Sequence, residues 1–153
     1  PEKPFLDTTD ADWHRVLDVD LNAVFYGCRA ALPGMVSNNW GRIINLTGMN
    51  AIHGYSGRAP VSVAKHGVWG LTKALAKEFG PSGITVNAIS PGPIRPEHDD
   101  PIQSQHLHGQ VGRIPLGHLG EPYHIASLCA YLISEGGGFV SGQMIACNGA
   151  AET

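Results

Sequence analysis

Apolar residues near the start of the chain recur at Trp13, Val16, Leu17, Leu21, Val24, Phe25, Cys28 and Leu32. This is the spacing of one helical face, and it predicts a helix over roughly 10–32 with a single buried stripe. Thr9, with Asp12 three residues on, reads as a capping-box-like start. Pro33-Gly34 is expected to close or kink the far end. The period then changes. Gly41-Arg-Ile-Ile-Asn-Leu-Thr47-Gly48 is short, β-branched and apolar on both faces, as in a central parallel strand. A glycine-containing loop follows to about Arg58. Val61, Ala64, Val68, Leu71, Leu75 and Phe79 then predict a second helix over 60–79, with Pro60 suited to its first turn. Gly80-Pro81-Ser82-Gly83 breaks it. Ile84 to Ser90 reads as a strand stopped by Pro91-Gly92-Pro93. Residues 93–120 are rich in His, Pro and Gly, and suggest a long loop with a short helix near 100–110. A third helix starts near Glu121-Pro122 and carries Ile125, Leu128, Cys129 and Leu132, with Gly136 to Gly138 at its end. Gln143 to Cys147 is the last strand.

Helices alternating with strands near 42–47, 84–89 and 143–147 predict an α/β fold, built from βα units on a parallel sheet. Composition agrees. The 153 residues are 42% hydrophobic and 15% charged, which suits one globular domain. A net charge of −3 with no basic run argues against nucleic-acid binding. No apolar run approaches the roughly 20 residues that span a bilayer, and no signal peptide is visible. Cys28, Cys129 and Cys147 are odd in number and lack zinc-site spacing, so they read as reduced residues of a cytosolic protein. Glu97, His98, Asp99, Asp100, His106 and His108 fit no standard ligand pattern, so no metal site is expected.

Several segments, in register, resemble the short-chain dehydrogenase/reductase family. They are Trp13…Val19-Asp20-Leu21…Phe25, Gly41-Arg-Ile-Ile-Asn45, Lys65-His-Gly-Val…Gly70-Leu-Thr-Lys-Ala-Leu-Ala-Lys-Glu78, Gly83-Ile-Thr-Val-Asn-Ala-Ile-Ser-Pro91-Gly92, Ile114-Pro-Leu-Gly117…Gly120-Glu-Pro, and Ser141-Gly-Gln…Asn148-Gly149. The resemblance covers almost the whole chain. It implies part of a Rossmann-like doubly wound parallel sheet with flanking helices. It also implies NAD(P)-dependent oxidation of an alcohol or reduction of a carbonyl.

The family's glycine-rich turn for the dinucleotide phosphates, and its later Asn-Asn-Ala-Gly segment, have no counterpart here. Residues 1–153 therefore resemble the C-terminal half of one such domain. NAD or NADP would bind only if the missing half is supplied. The bare sheet edge implies a fragment, or pairing with another chain. The helices over 10–32 and 60–79 match those that form the family's interface with a second subunit.

The resemblance also assigns the site. Lys65 matches the lysine of Tyr-x-x-x-Lys, but Val61 stands at the tyrosine and Gly48 at the serine that polarises substrate. Neither can transfer a proton. Asp20 is either an ion partner of Lys65, part of a proton relay, or a carboxylate bonded to backbone. His53 and Tyr55 are candidate replacement acids in the loop that also holds Asn50 and Arg58, and Thr47 and Ser62 are the hydroxyls nearest the lost groups. Asn45, Lys65, Pro91, Gly92 and Ile94 are the cofactor candidates. Two readings stay open: an oxidoreductase with a non-standard site, or an inactive relative serving as a structural, regulatory or ligand-binding protein.

Overall fold

The computed structural model describes residues 2–96 and 109–151. Helix α1 (Asp10–Leu17) starts at a true capping box: the Thr9 side chain accepts from the Asp12 N–H, and the Asp12 carboxylate accepts from the Thr9 N–H. It does not run straight into α2 (Ala23–Ser37). A five-residue π turn, Asp18–Asn22, lies between them. Pro33 sits inside α2 without ending it, so the helix reaches Ser37 rather than stopping near 32.

Strand β1 (Gly41–Leu46) follows, then α3 (Ala59–Phe79), which carries Pro60 in its first turn as expected. Next come β2 (Ile84–Pro91), α4 (Pro122–Ile133) and β3 (Met144–Cys147). The strands form one parallel sheet in the order β1-β2-β3, with Gly41 opposite Ile84 and Ala88 opposite Met144. Helix α3 is the crossover between β1 and β2, as parallel pairing requires.

Every residue of β2 from Ile84 to Ser90 is buried, so both faces of the central strand are covered. On one face Cys28 and Leu32 of α2 pack with Ile43, Ile84 and Val86, and Leu75 and Phe79 of α3 close the cluster. Helix α4 also contacts β1 and buries Leu132. The real stripe of α3 is Pro60, Ala64, Val68 and Thr72, a polar residue completing an otherwise apolar row. No helix of the described residues is long and apolar enough to cross a membrane. The helix expected near 100–110 lies mostly outside the described residues, as does the acid and histidine run at 97–108.

Candidate active site

Open α/β sheets bind ligands beyond the carboxyl ends of their strands. At that end of this sheet a cleft of about 260 Å³ opens, lined by Asn50, Tyr55, Arg58, Pro93, Arg113 and Ile114 among others. The loop after β1 supplies one wall, and the turn before Ile114 supplies the other. That turn is held by two backbone bonds, Arg113 N–H to the Gln110 carbonyl at 2.9 Å and Ile114 N–H to the Val111 carbonyl at 3.0 Å. Ile114 is itself buried and anchors the wall.

The N-terminal segment straps the loop down. The Lys3 N–H donates to the Gly57 carbonyl at 2.9 Å, and the Arg58 guanidinium donates to Glu2 at 2.7 Å. The Lys3 ammonium meets Asp12 at 2.6 Å. Hydrogen bonds from Lys3 and then from Thr9 hold the Asp12 carboxyl well below the ordinary carboxylate range.

Lys65 points its ammonium at Asp20, with Nζ to Oδ1 at 3.1 Å and both side chains largely buried. Of the three roles open for Asp20 in the sequence, the geometry supports the ion partner. Asp20 comes from the π turn, a local widening that often accompanies functional positions. One pairing leaves Lys65 further N–H donors for a ligand. The pair does not line the cleft.

Val61 lines a small pocket with Lys3, Asp12, Val16 and Gly57, and is not among the residues lining the cleft. Gly48 has φ 152° and ψ 172°, and open space surrounds the place where a Cβ would be. A serine there would meet no clash, yet its backbone would have to leave a conformation that L-residues avoid.

The hydroxyl of Thr47 is buried and donates to the Ile89 carbonyl at 3.0 Å, so it is committed to the sheet. Ser62 accepts the Tyr55 N–H at 3.4 Å, tying the loop to α3. The two candidate acids separate here: Tyr55 is half-buried in the cleft wall, whereas His53 is exposed and absent from the lining.

Asn45 is not placed for side-chain contact with a cofactor. It is 6% exposed, donates to Thr72 at 3.0 Å and accepts from the Cys28 thiol at 3.7 Å. Its amide therefore joins β1 to α2 and α3 within the core. Burial pushes the Cys28 thiol pKa up, and the bond to Asn45 partly opposes this.

Pro91 pairs with Cys147, and the Gly92 N–H donates to the Cys147 carbonyl at 3.0 Å. A Cβ on Gly92 would lie 2.5 Å from Asn148 Cα, so glycine is required by close approach of the backbones. Ile94 bridges to Gly120 and lines a second, mostly apolar pocket of about 400 Å³ with His118, His124 and Cys147. Among the described residues no cluster of His, Cys, Asp or Glu is suited to a metal ion.

Sequence reasoning missed Arg113. Its only local signal is the adjoining Ile114-Pro-Leu-Gly117 run, which marks a turn without saying what faces the cleft.

Comparison with known proteins places this geometry in context. A family model described as Enoyl-(Acyl carrier protein) reductase matches residues 1–150. The chain is 40% identical over 145 residues to the acetoacetyl-CoA reductase of Cupriavidus necator, covering 95% of this chain and 59% of that protein. It is 38% identical over 140 residues to the 3-oxoacyl-(acyl-carrier-protein) reductase FabG of Rickettsia felis, covering 92% and 58%. The acetoin dehydrogenase of Enterobacter cloacae superposes with a TM-score of 0.87 at 31% identity, over 99% of this chain and 59% of that one. The acetoin dehydrogenase YohF of Salmonella typhimurium gives 0.86 at 30%, over the same 99% and 59%. The chain thus spans about three-fifths of the length of the relatives it matches.

Proposed function

The chain belongs to the short-chain dehydrogenase/reductase family, and from that membership we propose that it is the C-terminal half of an NAD(P)-dependent oxidoreductase for a small alcohol or carbonyl, with Tyr55 handling the substrate proton. The observation that carries this reading is the position of Tyr55 in the cleft at the carboxyl end of the sheet. Oxidising an alcohol removes a hydride from carbon and a proton from oxygen. The cofactor takes the hydride, so the protein needs an acceptor for the proton. Val61 and Gly48 supply none, and a phenol is the same chemical type as the tyrosine that Val61 replaces.

The residues present fit one end of a dinucleotide. Lys65 keeps spare donors beside Asp20, Gly48 leaves open space at the strand end, and Pro91-Gly92 closes the carboxyl end of β2. They would hold the nicotinamide and its ribose. Nothing among the described residues matches a glycine-rich cradle for the pyrophosphate, so that half of the site comes from elsewhere. The open edge of β1 is its docking place. A groove of about 350 Å³ runs there between β1 and α2, lined by Val24, Cys28, Ala31, Met35, Ile43 and Ile44.

Exposed Val19 on the π turn, Phe25 and Tyr26 on α2, and Val63 on α3 support pairing of these helices with a second subunit. Three free cysteines fit a reducing, cytosolic setting. The loss of both usual active-site groups favours a second reading, an inactive relative that keeps the pocket.

Native mass spectrometry with NADH and NADPH, paired with kinetics of Tyr55→Phe, separates them. The oxidoreductase reading expects a nucleotide adduct and turnover that falls about 100-fold or more in Tyr55→Phe, with His53→Gln close to wild type. An adduct without turnover would favour the inactive relative. Unchanged turnover in Tyr55→Phe would remove Tyr55 from the chemistry.

A further inference from the structure

We infer that the cleft selects a small hydroxy acid, holding its carboxylate on Arg113 and its hydroxyl on Asn50. The inference rests on the oxidoreductase reading and adds the class of substrate.

Among the described residues, three charged ones line the cleft: Glu2, Arg58 and Arg113. Glu2 and Arg58 neutralise each other through a two-point contact, with Nε to Oε1 at 2.7 Å and a second from the Arg58 Nη2 nitrogen to the same oxygen. Arg113 makes no salt bridge among the described residues, so the described lining carries one positive charge that Glu2 does not compensate. Its backbone is fixed by the 110–114 turn, and the exposed residue lines the cleft. A guanidinium presents a planar fork of N–H donors that matches a carboxylate.

Asn50 Oδ1 is buried and accepts no hydrogen bond, although it lines the same cleft. A buried acceptor left without a donor is costly, and native proteins rarely leave one so. The group that satisfies it must bring an O–H or N–H. An alcohol brings one, donated to Asn50 in the resting complex and turned to Tyr55 only for the transfer step, and its ketone brings none. A ligand with a carboxylate at one end and a hydroxyl within reach answers both vacancies. The cleft, at about 260 Å³, lies just below the range of roughly 300–1,000 Å³ usual for drug-sized ligands, so the acid is short.

Titration calorimetry tests this with 2-hydroxybutyrate and 3-hydroxybutyrate, each against its methyl ester, which keeps the skeleton and hydroxyl but lacks the charge. At least one acid should bind about tenfold or more tighter than its ester. Arg113→Gln should abolish that preference by weakening the acid alone. Asn50→Leu should weaken acid and ester together while leaving their ratio unchanged. Equal binding of acid and ester by the wild type, or an unchanged preference in Arg113→Gln, would overturn the inference. Because binding is read without turnover, the two readings fail separately. Acid binding with no oxidation in the presence of NAD or NADP sinks only the oxidoreductase reading. Turnover of neutral alcohols with no preference for an acid sinks only this one.

Discussion

Thr72 lies in the middle of α3 with no solvent exposure, donating to the Val68 carbonyl at 2.8 Å and accepting from Asn45 at 3.0 Å. A hydroxyl at this position looks in the sequence like a gap in the apolar stripe, because periodicity scores polarity and cannot see a partner from another element. Thr72→Val keeps the shape but removes the acceptor of the Asn45 amide. It should lower stability by about 1–3 kcal/mol, the cost of a buried donor left unmade. A shift of the urea midpoint at constant slope would show it, and no shift would mean that the amide finds another acceptor. The same reasoning explains why Asn45 was legible as important but not as a core residue: one strand cannot reveal which face looks onto α2 and α3. Arg113 was invisible for the converse reason. Its meaning comes from lining the same cleft as Asn50, more than sixty positions away in sequence.

The first helical element was legible in its start and misread in its course. Thr9 and Asp12 form the capping box that their spacing announces. The π turn at Asp18–Asn22 has no such signature, since apolar residues continue on both sides of it and the insertion shifts the register only locally. Pro33 failed to end α2 even though it cannot donate to the helix ladder, and the helix carries it at a largely exposed position. The box is also coupled to the cleft, because Asp12 receives the Lys3 ammonium and so helps strap the N-terminal segment over the 54–58 loop. The Asp12 carboxyl binds its proton less tightly in the folded chain than when unfolded. The strap is therefore fully stabilising above the ordinary value of 3.8 and is lost as pH falls through the much lower folded value. Carboxyl NMR should find Asp12 still ionised at pH 3, where unpaired aspartates are mostly protonated. A midpoint near 3.8 would mean that the strap is open in solution.

Among the described residues the sheet has three parallel strands, with β2 covered on both faces and β1 at an edge, where Leu46 is half exposed beside the groove against α2. Unpaired strand edges invite another strand, and parallel sheets are normally covered on both faces. Hydrogen exchange gives the check. In the chain alone, β1 amides directed at the open edge should exchange quickly, while those bonded to β2 stay protected. Covering the edge with a dinucleotide-binding half should protect the first set without changing the second. Slow exchange throughout β1 in a monomeric chain would argue that the edge is already satisfied.

The sequence by itself determined the α/β class, the order of the main elements and the family. Those follow from local periodicity, capping and motif spacing, which are properties of short stretches of chain. Only the tertiary structure decided that Asp20 meets Lys65, that Asn45 belongs to the core, and that Tyr55 rather than His53 lines the cleft. It also brought Arg113 to the wall that Asn50 shares. Each of these depends on which faces of separate elements pack together. Packing of that kind is set by the burial of the whole sheet, not by any one segment.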